Sequence, residues 1–222
     1  MINLLPFALA TAIGASAPSA PAIPAGTYTY SAAINGQSIG SSVITVASDG
    51  SNTVLNEKGS GVAQGQSAAS NATLTLGPDL SPMSFQASGS LGSQSMKDSA
   101  TFNGTSASVT GMQGTQSFSL SGDAKHFVVV DLGSFAGFLA LPAQMKAWNN
   151  ASVLAIVPSY AQSLTLAPDA TLQPARPVNV PASDLALAFG GRVPFTVWYN
   201  PSTYVTDEVD VTSQGLSVTR KP

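Results

Sequence analysis

The chain has 222 residues, of which 44% are hydrophobic and only 9% are charged, and its formal net charge at pH 7 is −3. No basic cluster precedes Arg220-Lys221, so we expect no nucleic-acid partner, because binding to phosphates needs a basic face. The absence of cysteine excludes disulfide bonds, cysteine-ligated zinc and a thiol nucleophile. Serine and glycine are abundant instead, which favours strands and turns over helices.

The N-terminal residues have the order of a secretory signal peptide. An apolar run over residues 2–13 is followed by small residues, with Ala15-Ser16-Ala17 and Ala20-Pro21-Ala22 as candidate cleavage sites. The first basic residue is Lys58, so the usual positive start of a signal is missing, and a buried N-terminal element is the alternative. We expect a signal peptide over residues 1–22, one β-rich domain over residues 23–222, and export to the periplasm or outside the cell.

The first part of this domain predicts an antiparallel meander. Residues 27–34 and 38–47 are candidate strands joined by Asn35-Gly36, a strong two-residue hairpin signal, and a third candidate follows at residues 52–58. Residues 59–70 contain few apolar side chains and predict a mobile hairpin tip. Further short strands are predicted about every ten residues, at 72–76, 83–87, 95–102, 107–112 and 117–120.

The composition becomes more apolar near Phe127, and residues 127–132 predict a continuous apolar strand. Residues 135–148 have apolar side chains close to helical spacing and predict one helix, with Pro142 as a break. Three more strands are predicted after it, and residues 168–183 carry four prolines and predict an extended loop. The three strands are residues 153–157, 164–166 and 185–189.

Residues 191–220 carry the clearest architectural signal. Apolar and polar side chains alternate over three runs, separated by Asn200-Pro201-Ser202 and by Gln214-Gly215, which predicts three antiparallel strands with one buried face. The N-terminal apolar run is too short to span a membrane, and no other stretch reaches the ~20 apolar residues needed, so we expect no transmembrane segment. The predicted fold is mainly β: a single strongly curved antiparallel sheet, or half-barrel, with one helix packed on it.

Two features suggest hydrolase chemistry, and each has a structural alternative. Gly36-Gln37-Ser38-Ile39-Gly40 matches the G-x-S-x-G pattern, but a strand follows it where the nucleophile elbow needs a helix. His126 is the only histidine and precedes an apolar strand, so a strand-edge role is favoured over membership of a catalytic triad. We therefore predict no catalytic residues and no enzymatic activity.

The densest acidic group consists of Asp207, Glu208 and Asp210. On a strand only Glu208 and Asp210 share a face, and two carboxylates do not make a calcium site, so we predict a solvated or edge-protecting pair. Asp207 falls among inward-facing valines and is predicted to pair with Arg192 or Arg220. No metal site and no cofactor are predicted.

The aromatic residues of the second half are either large core residues or the lining of an apolar pocket between helix and sheet. If a ligand cavity exists, the pattern predicts that it is lined by Phe135, Phe138, Leu139, Trp148, Phe195, Val197 and Tyr199.

The layout resembles the exported lipoprotein carriers of the LolA/LolB type. The resemblance rests on the N-terminal leader, the opening strand at residues 26–30, the hairpin at residues 35–40, and the late strand at residues 193–199 with its Asn200-Pro201 turn. It implies a curved antiparallel sheet with helical segments against its concave face and an apolar cavity for acyl chains. No functional residue of that family can be placed in this sequence by motif.

Three functions follow from these patterns. The first is an exported, non-enzymatic binding or carrier protein whose partner is an apolar or lipid-like small molecule. The second is a structural or surface-interaction domain that would use the Ser/Gly/Thr-rich strands of residues 59–120. The third is a hydrolase. The sequence does not identify a protein partner.

Overall fold

The computed structural model describes residues 21–63, 65–131, 133–191 and 193–222. These residues contain fifteen strands, one α-helix and two single-turn 3-10 helices. The fold class is the predicted one, mainly β with one helix and a large open antiparallel sheet. The predicted signal peptide lies almost wholly outside the described residues, so its existence and the division of the chain at residue 22 stay predictions.

In chain order the strands are β1 (Gly26–Ile34), β2 (Gln37–Asp49), β3 (Asn52–Ala63), β4 (Gln66–Leu76), β5 (Pro82–Leu91), β6 (Gln94–Asn103), β7 (Ser106–Gly111), β8 (Gly114–Ser119), β9 (His126–Val129), β10 (Val153–Val157), β11 (Gln162–Leu166), β12 (Leu185–Phe189), β13 (Phe195–Tyr199), β14 (Thr206–Val211) and β15 (Leu216–Arg220). Helix α1 spans Ala136–Ala147, and the 3-10 turns span Pro158–Tyr160 and Thr212–Gln214.

Twelve strands form one antiparallel sheet in the order β12-β13-β14-β15-β1-β2-β3-β4-β5-β6-β7-β8. The first and last strands of the chain are neighbours, with Ala32 of β1 opposite Val218 of β15. The three C-terminal strands are those that the alternation predicted. The first hairpin is also confirmed, since Asn35 and Gly36 have φ values of 49° and 77°, as a two-residue turn of this kind requires.

Residues 59–70 contain the end of the β3–β4 hairpin, as predicted, but most of them are paired strand and not an irregular tip. Strand β3 continues to Ala63 and β4 begins at Gln66, and Gly59 pairs with Ser70 while Gly61 pairs with Ala68. Backbone hydrogen bonds to the flanking strands β2 and β5 sustain the extended conformation although the side chains are small. Low apolar content was therefore a poor guide to disorder here.

A second sheet, which the pattern did not distinguish from the first, contains β9, β10 and β11 in the order β11-β10-β9. Strands β9 and β10 are parallel, with Phe127 opposite Leu154, and α1 is the crossover between them. Their continuous apolar sequences suit a parallel pair that is covered on both faces. Residues 168–183 contain no strand beyond an isolated bridge from Pro168 to Phe189, as the prolines predicted.

The core lies between the large sheet on one side and α1 with the small sheet on the other. A row of apolar residues crosses the large sheet perpendicular to its strands, each opposite the next in register. The row consists of Val46, Leu55, Leu74, Phe85, Ala100 and Val109, all of them buried. Gly137 of α1 sits against the small sheet so tightly that a Cβ atom there would lie 2.0 Å from the Val129 carbonyl oxygen.

Helix α1 passes through Pro142 without the predicted break. Proline has no backbone N–H, so the carbonyl of Phe138 one turn earlier loses its helical partner. The hydroxyl of Thr206 on β14 replaces that donor, with a distance of 2.8 Å from its Oγ1 to the Phe138 oxygen. The proline is tolerated because a side chain of the sheet donates a hydrogen bond to the carbonyl that lacks its helical partner.

This contact can be tested with a double-mutant cycle. We expect Thr206→Val to lower the free energy of unfolding by about 1 to 2 kcal/mol, because it leaves a buried carbonyl without a donor. In the Pro142→Ala background the new N–H restores the helical bond, so the same substitution should cost less. Urea denaturation of the four proteins measures both costs, and equal costs would contradict the assignment.

Candidate binding groove

The inward face of β2 to β6 changes composition along the strands. Beyond the apolar core row, and beyond the row that contains Glu57, two further rows cross the sheet with almost no large side chains on β2, β3 and β4. The first row is Ser42, Gly59, Ser70, Gly89 and Met96, and the second is Gly40, Gly61, Ala68, Leu91 and Gln94. The strands therefore extend past the core and present a floor of small residues.

The glycines in this floor are required by close backbone contacts. A Cβ atom on Gly61 would lie 2.2 Å from the carbonyl oxygen of Ile39, and one on Gly40 would lie 2.6 Å from that of Ser60. A glycine inside a strand often marks a bend or a close approach of another chain. Here it also keeps the floor free of side chains.

Above this floor is an open groove with a volume of about 300 Å³. One wall is formed by Gly133 and Phe135, immediately before α1. The groove therefore begins on the inward face of the sheet where the part covered by the helix ends. Met96, which is 40% exposed, is an apolar residue at the border of the groove. Together with the half-buried Ile39 and Leu91, the Met96 side chain gives the groove an apolar rim over a floor of small residues.

Glu57 of β3 is buried at the boundary between groove and core, and it caps helix α1. Its Oε2 atom accepts hydrogen bonds from the Ser134 hydroxyl at 2.6 Å, from the Phe135 N–H at 2.8 Å and from the Ala136 N–H at 3.1 Å. The helix has no capping side chain of its own, because the residue at its N-cap position is Phe135. A carboxylate from the sheet therefore satisfies the free N–H groups of the first turn and faces the positive end of the helix dipole.

Burial raises the pKa of Glu57, and the hydrogen bonds from Ser134, Ala136 and Phe135 oppose this shift. The hydroxyl of Ser42 is also close enough to lower the pKa of Glu57, although the two groups do not meet the geometry of a hydrogen bond. Ser42 Oγ is buried and has no hydrogen-bond partner among the described residues. Both residues line the groove.

A second buried carboxylate fixes the segment on the other side of the groove wall. Asp131 accepts the Gly133 N–H through Oδ1 and the Ser159 N–H through Oδ2, each at 2.8 Å. It thereby joins the chain that leads into α1 to the 3-10 turn that follows β10. The wall of the groove is thus held at two points by buried acids.

The residues predicted to line a cavity lie mostly in the core. Five of the seven are buried, and the rings of Phe138 and Phe195 meet edge to face with 5.7 Å between their centroids. A hollow of about 180 Å³ lies beside Phe195. Of the two half-buried members, Tyr199 stacks on Tyr204 and Phe135 lines the groove described above. The five buried ones are Phe138, Leu139, Trp148, Phe195 and Val197. Their part in ligand binding stays a prediction.

The acidic group on β14 differs from its prediction. Asp207 pairs with Arg220, one of the two partners expected for it. Glu208, expected to be solvated or to protect a sheet edge, is only 5% exposed and lies on an interior strand between Trp198 and Thr219, whose hydroxyl donates to Oε2 at 3.2 Å. Burial raises the pKa of Glu208.

Asp184, which the sequence did not single out, joins this cluster. It is buried, and neither carboxylate oxygen has a conventional hydrogen-bond partner among the described residues. Burial, together with the neighbouring Asp207, raises its pKa to about 6. Arg176 donates to the backbone oxygens of Asp184 and Pro181, and its guanidinium carbon lies 4.7 Å from the Trp198 ring centroid.

The residues with possible catalytic chemistry have structural surroundings. His126 stacks on Trp148 at a centroid distance of 4.2 Å, and burial lowers its pKa while Asp79 raises it. Ser38 lies near the start of β2, directly after the hairpin, so the strand–turn–helix context of a nucleophile elbow is missing. Within the described ranges, no group of three or more histidine and acidic side chains is gathered closely enough to hold a metal ion.

The comparisons with known proteins bear on the fold. No protein-family model matches the sequence, and no match was found among curated proteins. A similar solved structure is the beta-barrel-like protein of domain of unknown function DUF1849 from Brucella abortus, with a TM-score of 0.51 and 11% sequence identity, covering 91% of this chain and 97% of that one. This likeness supports a β-barrel-like fold and does not point to the lipoprotein carriers in particular. Across the described part of the chain, no helix combines the length and apolar character of a membrane span.

Sequence reasoning placed only Phe135 at this groove. It missed Glu57 and Ser42 because an isolated acid and a serine on a polar strand carry no local sign of burial. The one usable signal was the spacing of small residues, since Gly59, Gly61, Ala68 and Ser70 alternate toward one face once the two strands are recognised.

The role of Glu57 as a helix cap predicts a large effect on stability. We expect Glu57→Ala to lower the free energy of unfolding by about 3 kcal/mol, because a buried hydroxyl and two helix N–H groups lose their acceptor. Glu57→Gln should cost less, since its amide oxygen can still accept. Urea denaturation measures both, with Lys58→Ala on the same strand as the control. A cost for Glu57→Ala no greater than that of the control would contradict the role.

The raised pKa of Asp184 predicts a pH dependence of stability. The folded state holds this proton more tightly than the unfolded state, whose aspartate pKa is about 3.9, so the free energy of unfolding should fall as pH rises from about 4 to about 6. In Asp184→Asn this component is absent, and the slope over that range should be shallower by up to about 1.4 kcal/mol per pH unit. Denaturation at a series of pH values measures it. Equal slopes in both proteins would exclude the assignment.

Proposed function

We propose that this protein is a non-enzymatic binding or carrier module that holds an apolar or lipid-like chain in the groove over β2 to β6. The observation that carries the proposal is the pair of small-residue rows bordered by Leu91, Met96 and Phe135. An exposed apolar rim above an unfilled floor is costly in water, and a bound chain would remove that contact with solvent.

The dimensions of the groove support an extended ligand. Four strand spacings separate β2 from β6, which corresponds to about 19 Å measured across the sheet. The volume of about 300 Å³ is at the lower end of the range for small-molecule sites, so a single narrow chain fits better than a bulky ring system. A chain that crosses the strands would contact the floor along its length.

We also propose that the protein acts outside the cytoplasm. The support for this is the apolar run over residues 2–13 followed by small residues, which is typical of a cleaved signal. An exported carrier of an apolar chain would need to shield its cargo from water, which the groove wall next to α1 would do on one side.

A second candidate is a surface-interaction module, and the outward face of the same strands favours it. This face has shallow hollows of about 460 Å³ and 360 Å³ lined mainly by polar side chains. The residues that line them include Thr45, Asn56, Asn71, Thr73, Gln86, Ser88, Lys97 and Thr110. A polar macromolecular partner would use this face, and the groove would then have no role in binding.

Filling the groove distinguishes the two candidates. Ala68 lies in the floor of β4, whereas Ser67, its neighbour in sequence, is exposed on the opposite face. We expect Ala68→Phe to abolish binding of the uncharged fluorophore N-phenylnaphthylamine by occupying the groove, and the matched control Ser67→Phe to leave it unchanged. Fluorescence titration measures binding, and circular dichroism checks that both variants fold.

Equal binding by Ala68→Phe and wild type, or no binding by any of the proteins, would overturn the carrier proposal. A polar partner sensitive only to Ser67→Phe would favour the surface module.

A further inference from the structure

The floor of the groove contains the buried hydroxyl of Ser42, which lies close to Glu57 but makes no hydrogen bond of conventional geometry with it. Ser42 Oγ is buried without a partner among the described residues. Its cross-strand neighbour is Gly59, two residues from Glu57 on β3, so the two side chains are diagonal neighbours on one face. Buried polar groups are usually hydrogen-bonded in native structures, so a ligand hydroxyl that reaches the groove would be a favourable partner for this side chain.

Glu57 supplies the acceptor. The three hydrogen bonds from the start of α1 all reach Oε2, and no donor to Oε1 is present among the described residues. A ligand hydroxyl placed between the two side chains would accept from Ser42 and donate to Glu57 Oε1. The three donors that converge on Glu57 favour its ionised form, which would repel an ionised carboxylate or phosphate, and such a head group also has no proton to donate.

The nearby cation that could offset the negative charge of a bound head group, Arg220, is already paired with Asp207. Arg220 lies in the same row as Ser42, separated from it by Tyr30 on the intervening strand β1. Its guanidinium is held by Asp207 and is not free to neutralise an anionic head group. The electrostatics of the floor therefore disfavour anions.

Building on the proposed carrier function, we propose that the groove takes a single-chain amphiphile with a hydroxyl head group and selects against anionic head groups. The head binds Ser42 and Glu57 beside Phe135. The chain crosses Gly59 and Gly89 toward the apolar side chains of Leu91 and Met96.

The test compares decanol with decanoate, which share a chain length and differ in the head group. Each displaces N-phenylnaphthylamine from the purified protein at neutral pH. Decanol partitions into any apolar site more readily than decanoate, so the preference of the wild type alone decides nothing. The informative quantity is the decanoate midpoint divided by the decanol midpoint, compared between the wild type and the variants.

We expect Glu57→Gln to reduce that ratio by about tenfold, mainly by improving displacement by decanoate, because the repelling charge is removed. Ser42→Ala should raise the decanol midpoint several-fold. Ser88→Ala is the matched control, since it removes an exposed hydroxyl from the opposite face of the same sheet, and it should change neither midpoint.

The two proposals fail in distinguishable ways. If the fluorophore does not bind, or neither amphiphile displaces it, the carrier function is wrong and this inference falls with it. If both displace it but the ratio is the same in wild type, Glu57→Gln and Ser42→Ala, the groove binds apolar chains and the selection by head group is refuted. If Glu57→Gln does not fold, an unchanged decanol midpoint in Ser42→Ala refutes the head-group site.

Discussion

The arrangement of this protein depends on one buried carboxylate. Glu57 projects from the middle of the large sheet and accepts three hydrogen bonds at the N-terminus of α1, which has no cap of its own. Because the acceptor is on β3, the helix has a fixed position along the trough: it begins at Glu57 and extends toward the core. Moving the helix would leave a buried charge and several N–H groups unsatisfied, which is far more costly than shifting an apolar contact.

The groove follows from that fixed position. The strands β2 to β6 continue beyond the point where α1 begins, and from there the inward positions of β2, β3 and β4 carry glycine, serine and alanine. A helix or a large side chain over these rows would give a closed core. Their absence leaves a trough with polar groups at its inner end and apolar groups along its rim, an arrangement that suits an amphiphilic chain better than a purely apolar one.

Several features contradict local propensity and are explained by long-range contacts. Pro142 does not interrupt α1, because Thr206 of β14 donates to the carbonyl that the proline leaves free. Glu208 is buried although its sequence neighbours are acidic, because β14 lies inside the sheet and not at its edge. The pattern of an isolated strand gives no information about its neighbours, so burial of a charge on it could not be predicted.

The amino-acid sequence by itself determined the fold class, the early and C-terminal hairpins and the single helix. These depend on interactions between residues close in the chain: alternation along a strand, positive φ at Asn35-Gly36 and apolar spacing in α1. Only the tertiary structure decided that residues 59–70 are paired strands, that β9 to β11 form a separate sheet, and that Glu57 and Ser42 meet at a groove. Each of these depends on which distant strand supplies the hydrogen-bonding partner, and a serine or glycine residue does not indicate in the sequence which strand that is.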